Sequence, residues 1–183
     1  NYAPFAPNGQ YLAYMHNMKA TGAWERHHQA EKTDAVTGRF FRPRPSEEFY
    51  DNFKDFHNID NQIDDPLHQS KIKELKKELR RQQLKYFDSG LMPEEMRNRM
   101  IKEKKTTVYA FVRDPKLYPL AKYLDYANFA LERKKQHLKT FTKNLSDDDP
   151  VIRYWSAVGL LLLEKTAKPA TPTFKKGLDD HDE

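Results

Sequence analysis

The chain has 183 residues, of which 38% are hydrophobic and 32% charged, and no apolar run approaches the roughly 18 residues of a membrane-spanning helix. The complete absence of cysteine excludes disulfides, a thiol nucleophile and thiolate zinc sites. A net charge of +5 suits a nucleic acid or an anionic polysaccharide, although acids interspersed among the Lys and Arg residues are more typical of solvated helix faces.

The N-terminal region combines a turn-rich start with an aromatic helix. Residues 1–10 hold two prolines and a glycine, which predicts extended or turn structure. A helix is predicted from Tyr11 to about Gln29. Aromatic side chains with polar edges occur here at a density that suits sugar stacking or contact hot spots, although packing between helices also explains them: Tyr2, Tyr11, Tyr14, His16 and Trp24.

An irregular segment follows, with the best strand candidate of the chain. The prolines at 43 and 45 exclude a central strand or helix for residues 40–45. Residues 47–51 (EEFYD) predict a short edge strand. Residues 55–65 are rich in Asp and Asn and predict turns, and they lack the glycine and the terminal Glu of a calcium-binding EF-hand loop.

Helices dominate the rest of the chain. An apolar stripe opposite Lys and Glu predicts a helix from Leu67 to Phe87, and a short helix follows Met92. Residues 106–112 are ambiguous because strand-like side chains lie in a charged setting. Further helices are predicted at about 119–132, 134–145, 150–165 and 170–178. The predicted fold class is therefore mainly α with a small β element (α+β).

The predicted helix that starts at Pro150 is apolar around most of its circumference. Asp149 is suited to cap its first free amides, and Pro150 fits the first helical position. A helix of this kind must be covered on more than one face. The pattern therefore predicts a helical stack.

A weak internal repeat supports such a stack. The pattern F-x-K-x-L-x-D-x-D occurs at 141–149 and again at 174–182, a displacement of 33 residues (174 − 141). This period is typical of helical hairpins that bury their apolar faces only against a neighbour. If the array continues beyond Glu183, Leu and Val side chains of the helix after Pro150 should be exposed.

No established catalytic or metal-binding motif is present. The seven histidines include no H-x-x-x-H pair, and the Asp runs at 147–149 and 179–180 precede helices, where capping explains them. Phosphate-binding and nucleophile-elbow motifs do not occur either. From these residues alone we predict no catalytic residue and no metal ligand.

Several segments, in order, resemble the C-terminal part of bacterial formylglycine-dependent sulfatases of the arylsulfatase or heparan N-sulfatase kind. Residues 1–4 (NYAP) and 9–15 (GQYLAYM) are similar to the family pattern R-N-Y-x-P followed by Y-G-Q-x-x-x-Y-M. Residues 41–51 (FRPRPSEEFYD) are similar to F-R-P-K-P-x-E-E-L-Y-D. Residues 88–94 (DSGLMPE) resemble D-x-G-L-L-P-E, and residues 149–160 (DPVIRYWSAVGL) resemble the D-P-x-V-R-Y-W-A-A-x-G-L of sulfatases that carry a helical-repeat extension.

The resemblance implies a parent enzyme that hydrolyses a sulfated carbohydrate or an aryl sulfate in the periplasm or outside the cell. It implies a sulfatase C-terminal subdomain segment at 1–105 and an incomplete HEAT-like extension at 106–183. The family's C/S-x-P-x-R motif, which supplies formylglycine beside a calcium ion, does not occur in these residues. The resemblance also implies that Tyr2, Tyr11, Tyr14 and His16 line a substrate cleft.

The expected partners follow from the same resemblance. They are the N-terminal catalytic domain of a sulfatase and a sulfated glycan or other sulfate ester, with no membrane. Nucleic acid is disfavoured because no RNA-binding motif accompanies the basic stretches. The alternative is a stand-alone helical-repeat module that binds a protein or a nucleic acid.

A first prediction concerns activity. The purified 183-residue chain should not hydrolyse an aryl sulfate, because the C/S-x-P-x-R motif is absent from it. A chromogenic assay with a formylglycine sulfatase as positive control measures this. Turnover that copurifies with the chain through successive columns would contradict the prediction.

Overall fold

The computed structural model describes residues 1–7 and 12–177, and within them the chain is mainly helical. The α-helices are α1 (Ala13–His16), α2 (Lys19–Gln29), α3 (Gln69–Tyr86), α4 (Glu94–Glu103), α5 (Val108–Phe111), α6 (Leu120–Leu131), α7 (Leu138–Asn144), α8 (Pro150–Leu162) and α9 (Thr171–Gly177). Short 3₁₀ helices lie at Arg39–Phe41, Pro66–His68, Lys135–His137 and Glu164–Ala170. No helix in the described ranges is both long and apolar enough to cross a membrane.

The predicted small β element is not formed in the described part of the chain. Residues 47–51 belong to no strand, and Pro7 and Pro43 form an isolated bridge. The proline-rich stretch before them cannot supply successive ladder donors, which explains why pairing stops at one bridge. The ambiguous segment at 106–112 contains the short helix α5, whose start is capped by the Thr107 hydroxyl, which accepts the Ala110 N–H at 3.2 Å.

Most predicted helices are confirmed, although their bounds differ from those predicted. The helix predicted from Tyr11 to Gln29 is divided into α1 and α2, because Met18 is extended and serves as the N-cap of α2. The helix predicted at 150–165 ends at Leu162, and the chain continues as a 3₁₀ helix. Residue 11 and the end of the helix predicted at 170–178 lie outside the described residues.

The chain divides into two compact units, at 1–73 and 74–183. The division falls within α3, whereas the predicted boundary at 105 separates segments by their resemblance and stays a prediction. Among the described residues of the first unit, the buried aliphatic or aromatic side chains are Pro4 and Ile72. The second unit contains all the other buried apolar side chains of the core.

Helix α8 is the centre of the second unit and packs against both α6 and α7. As predicted, Asp149 caps it by accepting the Val151 N–H at 3.0 Å, with Pro150 at the first helical position. Asp149 also accepts hydrogen bonds from Lys122 at 2.8 Å and from the Tyr123 hydroxyl at 3.3 Å, which ties the start of α8 to α6. Burial and the Asp149 charge both raise the pKa of Tyr123.

The second apolar face of α8 is covered from within the chain. Trp155 is fully buried and its Nε1 donates to the Leu91 carbonyl at 2.7 Å. The expectation of exposed Leu and Val on α8 is wrong except at Leu161, which is 54% exposed. The loop before α4 and the helices α6 and α7 cover the faces that were assigned to further repeats. The repeat itself stays a prediction, because residues 178–183 lie outside the described range.

Glycine is required where α7 meets α8. A Cβ on Gly159 would lie 2.8 Å from two ring carbons of Phe141, a fully buried residue of α7. Real side chains essentially never approach so closely, so Phe141 would have to move in a densely packed interior. Gly159 therefore sets how closely α7 and α8 approach.

Replacing Gly159 with alanine should lower the free energy of unfolding by up to about 2 kcal/mol. The overpacking penalty of about 1–3 kcal/mol exceeds the gain in helix propensity of roughly 1 kcal/mol. Chemical denaturation of the Gly159→Ala variant measures the change.

Gly22→Ala is the matched control, because a Cβ there meets only the mobile end of the Arg26 side chain, at 3.4 Å. It should be neutral or stabilising by up to about 1 kcal/mol, since alanine is the better helix former. If both substitutions stabilise the protein equally, the Phe141 contact does not constrain α8.

Candidate functional site

The aromatic side chains of the first unit gather around Trp24. Its ring stacks on Phe40 with centroids 4.7 Å apart and meets Phe41 edge-on at 5.1 Å. One turn later on α2, His28 stacks on Phe41 at 4.5 Å. The Trp24 Nε1 donates to the Thr37 carbonyl at 3.1 Å. Trp24 therefore packs α2 against the 3₁₀ helix at Arg39–Phe41, which is the packing alternative that the sequence left open.

The loop at 33–38 precedes that 3₁₀ helix and is held in one conformation by hydrogen bonds to the side chain of Asp34. The Asp34 carboxylate accepts the N–H groups of Val36 at 3.0 Å and Thr37 at 2.7 Å, together with the Thr37 hydroxyl at 2.7 Å. The hydrogen bonds from Thr37 lower the pKa of Asp34. A Cβ on Gly38 would lie 2.8 Å from the Thr33 hydroxyl, so only glycine fits there without a shift of the loop. The loop thereby orients the Phe40 and Phe41 rings.

The segment at 41–51, which carries one of the sulfatase-like motifs, contains a cluster of three polar side chains. Arg44 and Glu48 form an ion pair at i,i+4 spacing although the segment is not helical. The Tyr50 hydroxyl donates to Glu48 Oε1 at 3.2 Å. Burial first, and then the negative charge of Glu48, raise the pKa of Tyr50. The cluster therefore links residues 41–45 of the motif to residues 47–51.

Hydrogen bonds from other parts of the unit hold the same segment in place. The backbone nitrogen of Asn1 donates to the Ser46 carbonyl at 2.9 Å, and its side-chain amide donates to the Pro45 carbonyl at 3.2 Å. On the other side, the Phe49 N–H donates to the Asn61 side chain at 2.9 Å, and the Gln62 N–H donates to the Phe49 carbonyl at 2.8 Å. The resemblance motifs at 1–4 and 41–51 are thus in direct contact.

The predicted cleft residues are found in different environments. Tyr14 is 71% exposed on α1, and Tyr2 is half-buried. The His16 imidazole is mostly buried, and its Nδ1 lies 3.4 Å from a Glu25 carboxylate oxygen. Tyr14 and His16 point in different directions because residues two apart on a helix do not share a face. Tyr11 lies outside the described residues.

Of the predicted residues that the structure describes, Tyr14 therefore has the ring most accessible to a ligand. The Arg44–Glu48–Tyr50 cluster was not predicted from the sequence, where the spacing R-P-x-x-E-x-Y was the available signal. The role of Asp34 was not predicted either, although D-x-x-T at 34–37 is a pattern of a side-chain-bonded turn. Within the described ranges, no group of three or more His, Asp or Glu side chains is placed to hold a metal ion.

Comparisons with protein-family models, with curated proteins and with solved structures give no significant match for this chain.

The polar cluster generates a prediction about Tyr50. In Glu48→Gln the pKa of Tyr50 should fall toward its ordinary value, because the negative charge beside its hydroxyl is lost. The phenol ¹³C resonance of Tyr50 followed from pH 8 to pH 12 measures the shift. A Tyr50 titration that is unchanged in the variant would show that Glu48 does not act on it.

The same raised pKa has a consequence for stability. A phenol whose pKa is higher in the folded than in the unfolded state stabilises the fold fully below its unfolded pKa. That stabilisation is lost as pH rises from about 10 through the folded pKa of Tyr50. Glu48→Gln should therefore reduce the alkaline loss of stability relative to the parent chain.

Proposed function

We propose that this chain is the non-catalytic C-terminal part of a formylglycine-dependent sulfatase and that residues 1–73 pack against its catalytic domain. The observation that carries the proposal is that the first unit has many specific polar contacts but few buried apolar side chains. It has a definite, hydrogen-bonded conformation at the resemblance motifs, yet it buries almost no apolar side chains of its own.

The shortage of buried apolar side chains is physically significant because small domains are stabilised mainly by an apolar core. Among the described residues of the first unit, Pro4 and Ile72 are the buried apolar side chains, whereas large apolar side chains are exposed at many positions. These include Tyr14, Met18, Phe53, Phe56 and Leu67. A contiguous partner surface would remove such side chains from water, as an N-terminal catalytic domain would do.

Two of the exposed side chains are presented by an ordered loop. Phe53 is fully exposed and Phe56 is 84% exposed. Around them, the Asp51 side chain accepts the Phe53 N–H at 3.1 Å, and the Asp55 side chain accepts the Asp60 N–H at 2.8 Å. Arg39 donates to the Asn58 carbonyl at 2.6 Å. A loop braced in this way loses little conformational freedom when it binds, which favours docking of its phenylalanines.

The second unit supports the assignment of a helical extension. It has its own core around α8, and α7 and α8 are consecutive helices that pack on each other. This arrangement fits a HEAT-like hairpin and agrees with the D-P-x-x-R-Y-W motif at its centre. The same observation is what favours the alternative function, a stand-alone helical module that binds a protein or a nucleic acid.

In the proposed parent enzyme, the catalytic formylglycine and the calcium ion belong to the N-terminal domain. The first unit would cover that domain and shape access for a sulfated carbohydrate or an aryl sulfate, with Tyr14 as the most accessible candidate at the cleft. The positive net charge suits a polyanionic substrate. A periplasmic or secreted location follows from the same family of enzymes.

The gene provides the most direct test. We expect the reading frame upstream of Asn1 to encode C/S-x-P-x-R within a few hundred codons. Sequencing the source gene, together with intact mass measurement of its product, checks this. An open reading frame without that motif would refute the sulfatase assignment and favour the stand-alone module.

Substitution of the exposed phenylalanine tests the docking surface. In the 183-residue chain, Phe53→Ser should change the free energy of unfolding by less than about 0.5 kcal/mol, because the ring contacts only water. In the full-length protein, the same substitution should cost about 1.5–3 kcal/mol, since the ring is then buried.

Leu161→Ser on α8 is the control, because Leu161 is also exposed but lies in the unit that has its own core. Its effect should be small and similar in both proteins. Equal effects of Phe53→Ser in the chain and in the full-length protein would show that no domain covers the loop.

A further inference from the structure

The guanidinium of Arg113 stacks on aromatic rings at the surface of the second unit. In the sequence it is about 100 residues from the predicted cleft residues. The Arg113 guanidinium carbon is 3.6 Å from the centroid of the Tyr109 ring and 4.4 Å from that of Phe87. Arg113 also donates from Nη1 to the Tyr109 carbonyl at 3.2 Å. The two ring contacts and the hydrogen bond fix the orientation of an otherwise flexible side chain.

The guanidinium stays available to a ligand. Arg113 is exposed, and among the described residues its hydrogen bond goes to a single carbonyl oxygen. The neighbouring acid, Asp114, accepts the Lys116 N–H at 2.8 Å and forms a turn. An arginine that is held in one orientation and not paired with a carboxylate is suited to bind an oxoanion through two parallel N–H bonds.

Tyr109 has an open surface beside this cation. It is 69% exposed although Arg113 occupies one face of its ring, so the other face is open to water. Tyr86, at the end of α3, is 67% exposed and has the Lys85 ammonium 5.0 Å from its centroid. Phe87, which follows Tyr86 in the chain, is the second ring that contacts Arg113.

The backbone at Phe87 is in an unfavourable conformation that places this ring. Phe87 has φ of 56°, in the left-handed region that a bulky residue rarely adopts. The Asp88 N–H donates to the Gln83 carbonyl at 3.0 Å and closes the end of α3, where glycine is the usual residue. A phenylalanine here costs on the order of 1 kcal/mol in backbone energy, partly offset by its contact with Arg113.

We propose that Arg113 and Tyr109 form a binding site for a sulfated polysaccharide. A sugar ring packs on the open face of Tyr109, and its sulfate group accepts hydrogen bonds from Arg113. A guanidinium can donate two parallel N–H bonds to the oxygens of any oxoanion, and sulfate is chosen among them because of the proposed function. Single-stranded nucleic acid is the weaker candidate, since binding to it usually requires a longer basic groove with several stacking platforms.

The choice of sulfate rests on the proposed function, but the site does not. The reading-frame experiment tests the sulfatase assignment without reference to Arg113. Measurements of chondroitin sulfate binding by variants at Arg113 and Tyr109 test the site without reference to the catalytic domain. The two proposals can therefore fail separately.

The experiment titrates the 183-residue chain with chondroitin sulfate, with unsulfated chondroitin and with a thymidine oligonucleotide of similar length, by calorimetry near 150 mM salt. Chondroitin sulfate should bind most tightly. Arg113→Gln and Tyr109→Ala should each weaken that binding about tenfold, as expected for the loss of roughly 1.4 kcal/mol. Tyr109→Phe keeps the ring and should bind like the parent chain.

Arg81→Gln is the matched control, because it removes the same charge from a side chain that already forms two 2.7 Å hydrogen bonds to Glu78. It should weaken binding less than twofold. Equal losses in Arg81→Gln and Arg113→Gln would mean diffuse attraction of a polyanion and would overturn the proposal. Equal affinity for unsulfated chondroitin or for the oligonucleotide, or no binding of chondroitin sulfate at millimolar sugar, would also overturn it.

Discussion

Helix α8 imposes the constraint on which the second unit depends. Its side chains are apolar around most of the circumference, so leaving any face in water would cost several kcal/mol. Contact with α6, contact with α7 and the hydrogen bond from Trp155 to the Leu91 carbonyl together remove this cost. Because α7 can approach only where α8 has no Cβ, Gly159 determines where Phe141 is placed. The end of α7, the capping loop and the start of α8 are then fixed relative to one another.

The first unit is stabilised by different interactions. Its described contacts are ring stacking around Trp24, side-chain hydrogen bonds to the backbone in the loops, and the ion pair between Arg44 and Glu48. Such contacts give specific geometry but small net free energy, since each replaces a comparable interaction with water. A unit of this kind needs an additional apolar interface to be stable. The exposed phenylalanines of residues 51–58 provide apolar surface for one.

This contrast between the units gives the proposed function its physical basis. The second unit has a buried core and an exposed cation–aromatic cluster, which suits an appended module that binds a ligand. The first unit has a specified conformation and an uncovered apolar surface, which suits a segment completed by another domain. In the proposed sulfatase, the two units would thus serve assembly and recognition, while the chemistry resides in the catalytic domain.

The sequence by itself determined the elements whose causes are local. The Asp149 cap, the Pro150 start and the apolar stripe of α3 act within one or two helical turns, so their patterns predicted α8 and α3 correctly. The strand predicted at 47–51 failed because β pairing needs a partner strand, and the proline-rich chain beside it supplies one bridge only.

Only the tertiary structure decided how the faces of α8 are covered, since Leu91 and Trp155 are 64 residues apart in the chain. It likewise decided that Phe87 and Tyr109 both meet Arg113. Sequence patterns record which side chains must leave water, whereas the choice of their partners depends on long-range packing.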